Sequence, residues 1–532
     1  MTDNLLTQLA ITSDSTRPGR NGGMILTGAR VSVGLPFEPA RFLRHGWQSW
    51  SLTAWTDAAG RLPRTRPTLL YPMHTDPRYA GEKRPNGSWY GAVETGEGRV
   101  LLLGALDLES HVLLDGRSLT GRYESGTGEW FVAAGEEGEV LARYAALLAE
   151  RLGRGRAEKP PRVWCSWYSL YTEIHEGQLL KILADLGDLP FDVFQIDDGW
   201  QKGIGDWEPN AKFPSGMDGM AARIKATGRT AGLWLAPLLV VPTSELFRQH
   251  PDWLLRDARG RLVSAGFNWG EAMFTLDTTH PEALAWLAGL MQKVRAWGYD
   301  YVKLDFLYAG ALPGKRHTDL PREAAFRQGL QTIRTALGDA YFLTCGTPIF
   351  PSLGLCDGMR VGPDVAGHWQ SRRDDQVLVN FAIPGSRNAL RTSLNRLWLQ
   401  PLVHTDPDVI YFRRAQTSLT DEQRSLLQDL GRAAGFRATS DVPAWLSAEE
   451  RQALKTYFET EPEVERTGRT AFRIGGRAVD FAPHINLPPL PGFFTRLEGA
   501  LVGGLASVPI VMKTFDALGQ QGVKKTLDQH PV

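Results

Sequence analysis

The sequence predicts an α/β protein. Its centre is an eight-stranded (β/α)8 barrel, preceded by a β-sandwich and followed by a small β-rich domain with a tail. Three observations predict this. From residue 162 to 458, eight strand candidates occur, most followed by a stretch of helical periodicity. The stretch before them carries short apolar or alternating runs split by Gly, Asp and Asn, as sandwich strands are. No Gly-x-Gly-x-x-Gly turn follows the first strand of the alternating region, which disfavours the other arrangement, an open doubly wound sheet.

Taken in order, residues 1–135 form the sandwich, with strands expected at 23–31, 98–106, 113–123 and 130–134. Residues 136–161 form a helical linker: EEGEVLARYAALLAE repeats apolar residues at helical spacing, and RLGRGRAEKPP ends it with breakers. The barrel occupies 162–460. Its strands are expected at 163–170, 191–197, 230–239, 299–306, 341–346, 358–361, 397–403 and 435–439. Helices are expected at 176–186, 217–227, 281–297, 322–337, 374–383, 420–434 and 448–458. Residues 461–532 form the last domain, with a β-hairpin at 470–481 and a helical extension.

Composition narrows the function. The chain has 532 residues, enough for two to four domains, with 42% hydrophobic and 22% charged residues. Lys plus Arg equals Asp plus Glu at 59 each, which argues against a nucleic-acid or acidic-membrane binder. Three cysteines imply no disulfide framework. The first 15 residues lack a basic region followed by an apolar core, and the apolar stretch 499–512 is too short to span a bilayer. A soluble cytoplasmic protein is expected. The 17 Trp offer faces for sugar stacking, although large cores use Trp as well.

Active sites of such barrels gather at the carboxyl ends of the strands. In YVKLDF, Lys303 and Asp305 alternate with Val302, Leu304 and Phe306, so both should point into the barrel. A buried ion pair is the plainer reading, but the position favours chemistry. Asp364 follows the strand that holds Arg360 and can face Asp305 across the mouth; a helix-capping loop residue is the lesser alternative. Two such carboxyls suit glycoside hydrolysis: one attacks the anomeric carbon, the other protonates the leaving oxygen and then activates water. Asp197-Asp198-Gly199 reads as a turn, or as a carboxylate pair for sugar hydroxyls. A third ligand at standard spacing is missing beside that pair, so neither a metal nor another cofactor is expected. Asp406 and Asp408 suggest a supporting ion pair, and His404 a core histidine.

The motifs WCSWY, QIDDGWQ, GLWLAP, YVKLDF and HTDPDV occur in that order. Together they resemble the α-galactosidases of glycoside hydrolase family 36, over about residues 47–441. The resemblance implies the three-domain plan above and a retaining double displacement on terminal α-linked galactose of oligosaccharides. It implies Asp305 as nucleophile, held by Lys303, and Asp364 as acid/base. It implies Asp197 and Asp198 gripping galactose hydroxyls, with Trp167, Trp234, Lys303, Cys345 and Arg360 lining the pocket. Trp47 or Trp50, in HGWQSWS, is implied as a tryptophan lent by the N-terminal domain. The family leans towards homo-oligomers. A related α-N-acetylgalactosaminidase, a transglycosylase or a non-catalytic carbohydrate-binding barrel remain alternatives.

Overall fold

The computed structural model describes residues 3–19, 22–60, 66–96, 98–371, 373–489 and 491–530. Eight parallel strands form the centre: β1 (Arg162–Cys165), β2 (Val193–Ile196), β3 (Thr230–Leu235), β4 (Tyr301–Leu304), β5 (Tyr341–Thr344), β6 (Gly358–Arg360), β7 (His404–Asp406) and β8 (Arg437–Thr439). β8 pairs with β1, and a parallel bridge from Thr405 to Gly435 joins β7 to β8, so the sheet closes into a barrel. Helices Glu176–Leu186, Gly216–Lys225, Pro281–Ala296, Arg322–Leu337, Asp421–Ala434 and Ala448–Glu459 follow strands in turn. The last two begin with capping boxes, at Thr420/Gln423 and Ser447/Glu450, which fix where the chain enters each helix.

The first barrel strand ends at Cys165 and Trp167–Leu170 is a helical turn, and the strand expected at 113–123 is a hairpin of Ser110–Asp115 with Ser118–Tyr123. Two further elements differ more. The apolar run at 397–403 is not a strand. Leu397–Leu399 is a 3-10 turn, and the strand begins only at His404. Leu399, Leu402 and Val403 are all buried and Trp398 donates to the Tyr90 hydroxyl at 3.0 Å, so the run is apolar because it is enclosed. Burial of its five apolar side chains, on both sides of the exposed Gln400 and Pro401, hides the period that tells strand from helix. The helix expected at 374–383 is instead a wide π turn over Arg373–Leu378 and irregular chain, and the helix forms at Ser386–Leu394, beyond Pro384.

Residues before the barrel form two antiparallel sheets of five and seven strands. In the larger sheet, Leu101, Leu103, Trp130 and Val132 face the smaller sheet, while Val100, Leu102, Phe131 and Ala133 belong to the core shared with the barrel. Both faces of this sheet are therefore covered. Helix Glu137–Leu152 is wedged into the shared core through Val140, Leu141, Tyr144 and Leu148, and the Tyr144 hydroxyl donates to the Ala105 carbonyl at 2.6 Å. The sandwich is thus fixed against the barrel.

The fixing point is polar as well. Glu323, at the start of helix Arg322–Leu337, accepts from the Trp47 indole at 2.9 Å, the Trp89 indole at 3.0 Å and the Glu109 amide at 2.7 Å. Burial raises its pKa to about 7. After the barrel, three short antiparallel strands, Val464–Arg466, Ala471–Ile474 and Arg477–Asp480, lay Phe472, Ile474 and Val479 on helices Ser386–Leu394 and Asp421–Ala434. Helices Phe493–Leu505 and Pro509–Gln529 follow, meeting at 85°. Among the described residues no single helix is long and apolar enough to cross a membrane.

Candidate active site

A cleft of about 430 Å³ opens at the carboxyl end of the barrel. It falls in the size range of pockets that hold drug-sized ligands. Asp305, Asp364, Asp197, Asp198, Lys303, Trp167, Trp234 and Trp50 all line it. These eight candidates are brought to one place from the ends of β1 to β4, the loop after β6, and the sandwich.

Asp305 leaves β4 as the chain turns. Phe306 has φ +55°, and this left-handed step aims the Asp305 carboxyl into the cleft. Its Oδ2 accepts from the Trp234 indole at 3.1 Å and its Oδ1 from the Phe306 amide at 2.8 Å. Trp234 lies beside Lys303 in the β3–β4 register. The Lys303 ammonium does not serve Asp305, contrary to expectation: it pairs with Asp197 at 3.0 Å. Burial, the largest single effect, pulls the ammonium pKa down; the Asp197 charge and smaller contributions from neighbouring groups together outweigh it, and Lys303 lies above the usual lysine range.

Asp197 and Asp198 both reach the cleft despite being adjacent, because β2 has ended and the chain turns. Asp197 accepts from Gln195 at 2.5 Å, and its own amide donates to the Ser166 hydroxyl at 2.9 Å. Asp198 accepts from Gln201 at 2.6 Å and from the Trp269 indole at 2.7 Å. Burial raises its pKa to about 6, against the pull of those two donors. These carboxylates are rigid acceptors with fixed orientation, suited to adjacent hydroxyls.

Asp364 is the more open carboxylate, its side chain 29% exposed. Burial raises its pKa, Arg360 restrains the rise, and the Asp305 charge adds to it. Arg360 is a hub: it contacts Asp364 at 3.0 Å, Asp406 at 3.2 Å and Asp408 at 2.7 Å. The Tyr168 hydroxyl also donates to Asp408, whose pKa burial lifts to about 7. Asp408 in turn accepts from the Val365 amide at 2.9 Å, pinning the loop that carries Asp364. The ion pair expected of Asp406 and Asp408 is this Arg360 network.

Three candidates do not line the cleft. Arg360 lies beneath it and acts through Asp364. Cys345 is fully buried behind the wall, and burial keeps its thiol neutral, well above the usual range. Trp47 turns into the domain interface, where Glu323 takes its indole N–H. Trp50 is the sandwich's contribution: its ring meets Phe306 edge-on at 5.1 Å, and a Cβ on Gly346 would come within 2.9 Å of it.

The sequence reading missed Phe267, Asn268 and Trp269, which line the cleft from a hairpin inserted after β3. Trp269-Gly270 is its two-residue turn, with φ +52° and +72°. Both positive φ values mark the type I′ geometry of tight hairpins, which glycine favours and tryptophan does not. Met73 and His74 of the sandwich and Val502, Ala506, Met512 and Asp516 of the tail were also missed. As for metals, Asp252, His280 and Glu282 could share an ion, but none of the three lines the cleft.

The melibiase family model matches residues 128–337. The α-galactosidase TtGalA from Thermus thermophilus, solved with p-nitrophenyl α-D-galactopyranoside, is 47% identical, with a TM-score of 0.85 over 89% of this chain and 97% of that one. The chain belongs to the melibiase family, in glycoside hydrolase family 36. Alpha-galactosidase AgaA from Geobacillus stearothermophilus is 31% identical over 36% of this chain. The match spans 27% of that relative's length, and 26% for alpha-galactosidase 1 of Pediococcus pentosaceus, so the chain aligns with about a quarter of the curated relatives. The AgaA crystal structure in complex with raffinose has a TM-score of 0.58 at 17% identity, a likeness of fold.

Proposed function

We propose that this melibiase-family protein is a retaining exo-α-galactosidase that removes terminal α-linked galactose from oligosaccharides. One observation carries the reading: Asp305 and Asp364 line a single cleft together with the Asp197-Asp198 pair, in a chain 47% identical to TtGalA over 97% of its length. Asp305, oriented by the Trp234 indole and the Phe306 amide, attacks the anomeric carbon and gives a β-galactosyl ester. This step requires Asp364 to carry a proton, which burial and the Asp305 charge favour against the pull of Arg360, and it donates that proton to the leaving oxygen.

The same electrostatics reset the acid. Once Asp305 is esterified its charge is gone, and the pKa of Asp364 falls. Asp364 then takes a proton from the water that attacks the ester, and galactose leaves with its α configuration. Asp197, paired with Lys303, and Asp198 accept from sugar hydroxyls, while Trp50, Trp167 and Trp234 offer faces to the ring. The three cysteines are buried free thiols, which supports a cytoplasmic, reducing setting.

The test is release of nitrophenol from the p-nitrophenyl α-galactoside, α-glucoside and α-N-acetylgalactosaminide. The reading expects fast release from the galactoside alone. Release only from another sugar would overturn the assignment of the sugar pocket, and release from none would overturn the hydrolase.

A further inference from the structure

One wall of the cleft comes from neither barrel nor sandwich. Val502, Ala506, Met512 and Asp516 supply it, from the two tail helices and the turn between them. The 85° bend lets the pair wrap the rim rather than extend away from it.

The pair is anchored at three points, each next to cleft residues. The Gly270 amide, beside Trp269, donates to Asp516 Oδ2 at 3.0 Å. The Thr68 amide, between Pro67 and Leu70, donates to the Ser507 hydroxyl at 3.1 Å. Gly499 and Gly503 let the first helix lie directly on its supports: a Cβ on Gly499 would fall 2.1 Å from the Val377 carbonyl, and one on Gly503 2.8 Å from the Arg66 side chain. The tail therefore bridges three of the segments that frame the cleft: the hairpin around Gly270, the stretch 66–70 and the turn that holds Val377.

Depth assigns the wall its role. Asp305, Asp197, Asp198, Lys303 and Trp234 are each at most 8% exposed and form the closed floor. A glycoside whose anomeric carbon meets Asp305 on this floor must direct its leaving portion outward, past Asp364, towards the rim. The tail stands there with three apolar side chains and one carboxylate. Asp516 accepts from Gly270 through Oδ2 and itself lines the cleft.

We infer that the C-terminal helix pair forms the subsite for the sugar being released, with Asp516 accepting from one of its hydroxyls and Val502, Ala506 and Met512 limiting its length. This rests on the α-galactosidase reading and adds which segment of the chain meets the leaving sugar.

The test compares raffinose, stachyose and α-galactosyl fluoride on the full chain. The fluoride leaves as a single atom and cannot reach the tail. Ala506→Trp should lower kcat/KM for raffinose about tenfold, and for stachyose further, with the fluoride within about twofold. Asp516→Asn, a milder change, should cost raffinose about fivefold and again spare the fluoride. Leu518→Ala, on the exposed side of the same helix, should change none of the three. An equal loss on all three substrates in both cleft variants, or no loss on raffinose in either, would overturn the inference. If the unmodified chain cleaves none of the three, the hydrolase reading itself falls, and the inference with it.

Discussion

Replacing Trp269 with Phe removes a single hydrogen bond and keeps most of a ring. The indole N–H donates to Asp198 Oδ2 at 2.7 Å and favours the ionised carboxylate. Burial has already raised that carboxyl to about 6. A hydrogen bond to a charged group is worth about 1.5–3 kcal/mol, and each pKa unit is about 1.4 kcal/mol, so loss of the donor raises Asp198 by about one to two units. An ordinary carboxylate of pKa 6 is about 90% ionised at pH 7, whereas one at 7 to 8 is about 50% to 10% ionised. If only the ionised form grips the sugar, kcat/KM at pH 7 falls about twofold to tenfold and recovers as pH rises. α-Galactosyl fluoride is the substrate to use, since fluoride departs without protonation and the titration of Asp364 stays out of the profile. The acidic limb of kcat/KM should move up by at least about one unit. A loss of the same size at every pH from 5 to 9 would refute the reasoning, because it would make Trp269 a wall and not a tuner of Asp198.

Two further expectations concern packing and stability. Gly346→Ala puts a methyl 2.9 Å from the Trp50 ring at a residue with φ +53°, so it should displace Trp50 and raise KM for nitrophenyl α-galactoside more than it lowers kcat; an unchanged KM would count against Trp50 as a sugar platform. Glu323 has a folded pKa of about 7 against 4.5 unfolded, so the folded state holds an extra proton between those values. Its contribution to stability is complete below pH 4.5 and is lost as pH rises through 7, a fall of about 3 kcal/mol at most. In Glu323→Gln the urea midpoint should be flatter from pH 5 to 7.5 than in the parent; an identical slope in both would remove Glu323 from the account.

Much of the barrel was legible because its signals are local. Lys303 and Asp305 stand at odd positions in a strand whose even positions are apolar, and that parity sends both to the same side. It does not say which acid the ammonium meets: Asp197 lies 106 residues away and captures it. Nor does HGWQSWS say which tryptophan enters the cleft. That is decided by Glu323, a buried acceptor that draws in Trp47 and leaves Trp50 for the mouth. Trp269 sits in an insertion between barrel units, where barrel periodicity carries no information. The only signal there was FNWGEA, a turn with Gly in its second place between alternating flanks. The tail was illegible for another reason. Phe493, Phe494, Leu501 and Ile510 are exposed, so its apolar residues do not mark a buried face and its period cannot be read from burial logic.

The central claim is the division of labour between Asp305 and Asp364, and the anomeric configuration of azide products tests it most directly. Asp364→Ala, given an activated α-galactoside and azide, should yield the α-galactosyl azide, since azide intercepts the β-linked ester on Asp305. Asp305→Ala should yield the β-galactosyl azide, with azide standing in for the lost nucleophile. Swapped products would reverse the two roles, and full unassisted hydrolysis by either variant would contradict the mechanism.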